Sequence, residues 1–212
     1  MKLRLALVDD HRVVTASLKS YLESFADMQV VGIAGSGEEL LQKIGEWRPQ
    51  VVLQDLLLPG GMDGIETIRR AMERMPEVRM IALTASTDEA RMMGALQAGA
   101  AGYVRKDAEP EVLLAAVRAV AMGRTYIDPS VGHWLAQSAG HGQGQLTARE
   151  GEVLRRLAMG LSNKEIAVAL GLSEETVKSH VGSLLGKLDA GNRAQAVVQA
   201  LKRGLLGLEE LG

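Results

Sequence analysis

The sequence predicts an α/β fold: a parallel, doubly wound sheet of five strands in the order 2-1-3-4-5, followed by a small all-α unit of four helices. Three observations predict it. Short apolar runs alternate with amphipathic stretches of helical period through about the first 122 residues. Glycine and proline then interrupt every periodicity over 123–145. From Leu146 onward the pattern is helical throughout.

The expected strands are 3–8, 30–34, 51–53, 80–83 and 102–104. Each is short and rich in β-branched residues or leucine, as strands buried on both faces must be. Helix starts fall between them. Ser36-x-x-Glu39, Asp63-x-x-Glu66 and Ser86-x-x-Glu89 fit capping boxes, and Pro110 fits the first turn of a fifth helix. Residues 141–145 read as a flexible linker, with a short helix expected around Trp134 and Leu135. In the C-terminal part, Thr147-x-x-Glu150 and Ser162-x-x-Glu165 fit capping boxes, Ser173 fits an N-cap, and Gly160 and Gly171 fit helix ends. The helices expected there are about 148–159, 163–170, 174–188 and 192–203. The domain reading is therefore 1–122, a linker over 123–145, and 146–212.

Composition narrows the function classes. The chain is 47% hydrophobic but only 3% aromatic, so its cores must be aliphatic. It has no cysteine, which excludes disulfides, thiolate metal sites and a cysteine nucleophile. The net charge of −2 argues neither for nor against a nucleic-acid partner, so charge placement has to decide. No stretch approaches the ~20 apolar residues of a membrane span, and the N-terminal apolar run is too short for a signal peptide. A cytoplasmic protein without a membrane partner is expected.

In an open parallel sheet, ligands bind at the carboxyl ends of the strands, near the switch in strand order. Asp9 and Asp10 close strand one, and Asp55 closes its neighbour, strand three. A lone aspartate at a strand end is ordinarily a turn residue, but three converging carboxylates repel unless a cation neutralises them. Hard oxygen ligands suit Mg²⁺: Asp10, Asp55, the backbone carbonyl of Leu57, and Asp9 close by. Thr84 ends strand four and Lys106 follows strand five, so a hydroxyl and an ammonium face the same crevice. Those groups suit the oxygens of a phosphoryl group in transfer to Asp55 as nucleophile.

The runs Val8-Asp9-Asp10-His11, Asp55-Leu-Leu-Leu-Pro59, Leu83-Thr84-Ala85 and Gly102-Tyr103-Val-Arg-Lys106 resemble the receiver domain of two-component response regulators. The resemblance implies phosphotransfer from a sensor histidine kinase to Asp55, with Asp9 and Asp10 as the acid pair and Thr84 and Tyr103 as the switch pair. Three features depart from the usual pattern. The loop 59–64 is one residue longer, Gln54 replaces an apolar residue and requires a hydrogen-bond partner, and Leu57 and Ser86 occupy the two positions that tune phosphoryl hydrolysis. Leu57 cannot hydrogen-bond an attacking water, so slow autodephosphorylation is expected.

In the helical part, Val177, Val181, Leu184 and Leu188 form one apolar stripe on helix 174–188. Opposite it lie Glu175, Ser179, Gly182, Ser183 and Gly186, a slim polar face suited to the DNA major groove. The preceding helix ends at Gly171 and a short turn reaches Ser173, which is helix-turn-helix spacing. Nine basic residues from 145 onward barely exceed eight acidic ones. Lys164, Lys178, Lys187 and Arg193 nevertheless sit near the turn and helix ends, where phosphates would run. An ordinary solvated helical bundle is the plainer alternative. Leu146-Thr-x-Arg149-Glu150-x-Glu152-Val-Leu154, Gly160-Leu-Ser-Asn163-Lys-Glu165-Ile-Ala and Leu172-Ser-Glu-x-Thr176-Val-Lys178-x-His180-Val resemble the LuxR-type DNA-binding domain, and the whole chain resembles NarL/FixJ-family response regulators. That resemblance implies Lys178, Ser179 and Gly182 at base edges, and Lys164, Thr176 and His180 near the backbone of double-stranded DNA. It also implies a homodimer on DNA formed through part of the last helix.

Two other readings compete. Acid phosphohydrolases also pair an aspartate nucleophile with Mg²⁺, but they favour Asp-x-Asp, and Leu56-Leu57 follows Asp55 here. A regulator that has abandoned phosphorylation has no need of Asp10, Asp55, Thr84 and Lys106 together. The chain is therefore not expected to be an enzyme beyond its own phosphorylation and dephosphorylation.

Overall fold

A computed structural model of the chain describes residues 2–85, 89–129, 131, 146–207 and 210–211. Ser86, Trp134, Leu135 and the expected linker 141–145 lie outside the described residues. The chain divides into two compact units, Met1–Ala121 and Met122–Gly212.

In the first unit the strands are β1 (Leu3–Val8), β2 (Met28–Ala34), β3 (Val51–Asp55), β4 (Arg79–Thr84) and β5 (Gly102–Arg105). The helices are α1 (Arg12–Glu23), α2 (Gly37–Trp47), α3 (Gly64–Arg74), α4 (Glu89–Gln97) and α5 (Pro110–Ala121). The paired strands from β2 to β5 are parallel, with β1 between β2 and β3. All five residues of β3 and the last five of β4 are buried. Such strands cannot alternate apolar and polar, which is why they read as continuous apolar runs. Leu5, Leu7, Leu53, Met80 and Ile81 fill the sheet, and Leu22, Leu40, Ile44 and Ile68 pack on it from the helices.

One strand more than the expected five occurs among the described residues. It is the two-residue β6 (Tyr126–Ile127), which follows α5 in the second unit. Two residues carry no readable period, so this segment looked like linker.

Two expected capping boxes form only by half. Ser36 accepts from Glu39 N, but the Glu39 carboxylate binds Gly35 N at 2.8 Å and Lys43 Nζ at 2.7 Å. Asp63 accepts from Glu66 N, whereas Glu66 pairs with Arg69 and Arg70. For Glu66, charged partners one turn away outcompete the neutral backbone N–H of the cap. The longer loop is accommodated by Gly60 and Gly61 at φ +67° and +64°, a conformation that favours glycine. Glu38 secures the loop by accepting from Met62 N at 2.8 Å.

The second unit holds α6 (Ala148–Ala158), α7 (Asn163–Leu170), α8 (Glu174–Leu188) and α9 (Arg193–Lys202). Here Thr147/Glu150 and Ser162/Glu165 form complete capping boxes, and Ser173 caps α8. Gly171 closes α7 at φ +64°. Val153, Leu154, Leu157, Ile166, Val177, Leu184, Leu188, Val197 and Leu201 make one aliphatic core. The stripe expected on α8 faces it, with Val181 only half-buried.

Candidate functional site

The parallel register places Val8 beside Gln54, so the residues just beyond β1 and at the end of β3 meet at one edge. Asp55 is fully buried and Asp9 is 4% exposed. Asp10 is half-buried and His11 exposed at the rim. Ligand-type atoms of Asp9, Asp10, His11 and Asp55 all lie within 4.8 Å of one another. Lys106 closes the crevice, its Nζ 2.7 Å from Asp55 Oδ2 and 2.7 Å from Asp9 Oδ2. Its position follows from the backbone: Lys106 N donates to Thr84 O at 2.7 Å, extending the β4–β5 ladder to the site. Burial opposes the ammonium charge, but the adjacent Asp55 and Asp9 carboxylates outweigh it and hold Lys106 above the ordinary lysine range.

The other Asp55 oxygen, Oδ1, accepts from Leu57 N at 3.0 Å. Gln54 Nε2 donates to Asp55 O at 2.8 Å, while its Oε1 is buried without a partner, so the unusual amide is satisfied only on one side. Thr84 is fully buried at the end of β4 and Tyr103 is 1% exposed on β5.

The donor set can hold a divalent cation. Asp9 Oδ2 and Asp10 Oδ1 are buried and accept no hydrogen bond of good geometry, although Lys106 Nζ and His11 Nδ1 approach them at 2.7 and 3.0 Å. Buried carboxylate oxygens in that condition are what a hard cation satisfies. Sequence reasoning gave two residues here no role. His11 Nδ1 lies 3.0 Å from both Asp9 and Asp10, and adjacency to the acid pair was its only signal. Gly64 starts α3 where a Cβ would sit 2.2 Å from Asp55 O, so helix and acceptor strand touch only because it has no side chain.

In the helical unit, Lys164, Thr176, Lys178, Ser179 and Gly182 are exposed and His180 is half-buried. Thr176 Oγ1 lies 2.7 Å from Ser173 Oγ within the α8 cap, and Lys178 Nζ lies 3.3 Å from Glu175. Lys187 and Arg193, expected to face phosphates, also bond within the protein. Lys187 Nζ binds Glu150 Oε2 at 2.6 Å, and the Arg193 guanidinium donates to Leu161 O. Neither pairing was readable from the sequence, because the partners are 37 and 32 residues away.

Residues 5–118 match the response regulator receiver domain, and residues 144–200 match the LuxR family of bacterial regulatory proteins. The chain is 42% identical to the uncharacterized transcriptional regulatory protein YhcZ of Bacillus subtilis, covering 97% of this chain and 98% of the relative. It is 34% identical to the response regulator VraR of Staphylococcus aureus, over 97% of this chain and 100% of that protein. Among solved structures, the response regulator RcsB in complex with DNA is similar at 27% identity and a TM-score of 0.61, covering 95% of this chain and 99% of that one. With a receiver fold carrying the acidic crevice and a LuxR-type helix-turn-helix after it, the chain belongs to the NarL/FixJ-type transcriptional response regulators of two-component systems.

Proposed function

We propose that Asp55 accepts a phosphoryl group from a sensor histidine kinase, and that this modification controls dimerisation and sequence-specific binding to double-stranded DNA. The carrying observation is the fully buried Asp55 carboxylate, 2.7 Å from Lys106 Nζ and clustered with Asp9 and Asp10. An Asp55 oxygen bonds to phosphorus as the bond from phosphorus to the kinase histidine nitrogen breaks, the electron pair leaving on nitrogen. Asp10, Asp55 and the carbonyl of Leu57, with Asp9 beside them, would hold Mg²⁺, which would supply charge neutralisation for the phosphoryl oxygens. Lys106 and the Thr84 hydroxyl hold those oxygens, and Thr84 with Tyr103 transmits the change.

The receiver then comprises 1–122, the linker 123–145 and the DNA-binding domain 146–212. Lys164, Thr176, Lys178, Ser179, His180 and Gly182 meet DNA, and two chains bind paired half-sites. No described helix is long and apolar enough to cross a membrane.

The test is intact-mass analysis after incubation with acetyl phosphate, with and without Mg²⁺, on wild type and Asp55→Asn. A Mg²⁺-dependent gain of one phosphoryl group in the wild type alone supports the reading. Equal gain in both proteins places the acceptor elsewhere.

A further inference from the structure

Glu150 does more than close a capping box. Its carboxylate is buried, at 4% exposure. Oε2 accepts from Thr147 N at 2.7 Å and from Thr147 Oγ1 at 2.8 Å, which completes the box. Two further donors come from α8, far along the chain: Ser183 Oγ at 2.6 Å to Oε1 and Lys187 Nζ at 2.6 Å to Oε2. Ser183 and Lys187 are one helical turn apart, so they share a face. The end of α8 is held again at its backbone, where Arg203 donates to the carbonyls of Lys187 and Leu188 at 3.0 Å each.

The two kinds of contact on α8 constrain different things. Val177, Leu184 and Leu188 hold the helix against the core, but apolar burial is nondirectional and tolerates rotation about the helix axis. Hydrogen bonds are directional and do not. A rotation of about 20° moves a side-chain tip ~5 Å from the axis by roughly 2 Å, enough to break a contact to a base edge.

We propose that Glu150 is the positioning residue of the DNA-reading helix: its carboxylate sets the rotation of α8 through Ser183 and Lys187, and Lys187 serves Glu150 and not a DNA phosphate. This rests on the DNA-binding reading above. The depressed pKa of Glu150, held at about 2 first by Lys187 and then by Ser183, agrees with the clamp.

Glu150→Gln, Lys187→Gln and the double variant of the full chain, each treated with acetyl phosphate and Mg²⁺, separate the alternatives. Glutamine at 150 keeps an acceptor for Thr147 N, so α6 retains its cap. The probe is a duplex enriched by the wild-type chain from a randomised pool, with an unselected duplex as reference. Each single variant is expected to lose about tenfold of the preference for the selected duplex, and the double no more than either single, because both remove one interaction. The slope of log affinity against log salt stays at the wild-type value in Lys187→Gln.

Additive losses, with that slope reduced by about one in Lys187→Gln, mean that Lys187 neutralises a phosphate and overturn the proposal. Amide exchange of α8 in the same proteins tests the clamp without DNA. Faster exchange in both singles and no further gain in the double supports it, and wild-type exchange in all three overturns it. If the wild type enriches no duplex, the DNA-binding reading fails, and the exchange result still decides whether Glu150 holds α8.

Discussion

The two units treat buried carboxylates in opposite ways. In the crevice, Asp9 and Asp55 share one lysine with Asp10 clustered beside them, and buried oxygens of Asp9 and Asp10 lack a well-formed donor. In the helical unit, one carboxylate, Glu150, takes hydrogen bonds from a backbone N–H, two hydroxyls and an ammonium. An under-satisfied cluster retains a free energy that an added cation or phosphoryl group can release. A saturated carboxylate has nothing left for a ligand and acts on structure. The degree of satisfaction, more than the charge, separates reactive acid from scaffold.

The largest expected effect breaks the first half of that comparison. Lys106→Met removes the cation shared by Asp55 and Asp9. Phosphoryl uptake from acetyl phosphate should slow by roughly 10²-fold, the usual cost of one electrostatic stabiliser. Stopped uptake followed by intact mass checks it, and an unchanged rate would show that Lys106 only neutralises the resting cluster.

Next is Glu150→Ala. It leaves Thr147 N, Ser183 and Lys187 without their acceptor and should destabilise the helical unit by about 1–3 kcal/mol, the cost of unmade hydrogen bonds and a lost cap. Urea unfolding read through amide exchange in 146–207 measures it. Acid sharpens the same point. Folding lowers the Glu150 pKa from 4.5 to about 2, through Lys187 first and Ser183 next. It does the same for Glu165, through Ser162 first and Arg124 after it. A depressed carboxylate contributes stability that is full above its unfolded value and lost as pH falls through its folded one. The helical unit should therefore weaken as pH falls from about 4.5 to about 2, and Glu150→Gln should flatten that dependence.

A smaller effect concerns phosphoryl lifetime. Leu57 is 40% exposed beside Asp55 and offers no side-chain group to an attacking water. Leu57→Asn supplies one and should hasten loss of the phosphoryl group several-fold, by orienting water. A wild-type lifetime of seconds, unaltered by the substitution, would remove Leu57 from the argument.

How much of this was legible in the sequence followed the range of each interaction. The buried strands announced themselves as apolar runs, and Asp9, Asp10 and Asp55 were readable because strand order brings known strand ends together. The two residues of β6 carry no period. Ser36 and Asp63 were readable as caps, but Glu66 had Arg69 and Arg70 one turn away, and spacing does not reveal which partner a carboxylate prefers. The pairings of Lys187 with Glu150 and of Arg193 with Leu161 were hidden because the partners are remote in the chain. Long-range polar pairs are set by packing, and packing is what one sequence shows least.

The smallest effect is the most diagnostic for α8. A Cβ added at Gly182 or Gly186 meets nothing within 4 Å, so neither glycine is required by the fold of its own unit. Within a helix, glycine costs about 0.5–1 kcal/mol relative to alanine. Gly182→Ala should therefore raise the stability of the helical unit by about that amount, measurable as a higher urea midpoint with an unchanged slope. If α8 lies in the major groove with its backbone close to the bases at Gly182, the same methyl group should weaken binding to the selected duplex while leaving the salt dependence intact. A gain in stability with a loss of affinity places the reason for this glycine on the DNA. A gain in both leaves the helix face at 182 outside the contact and moves base reading to Lys178 and Ser179.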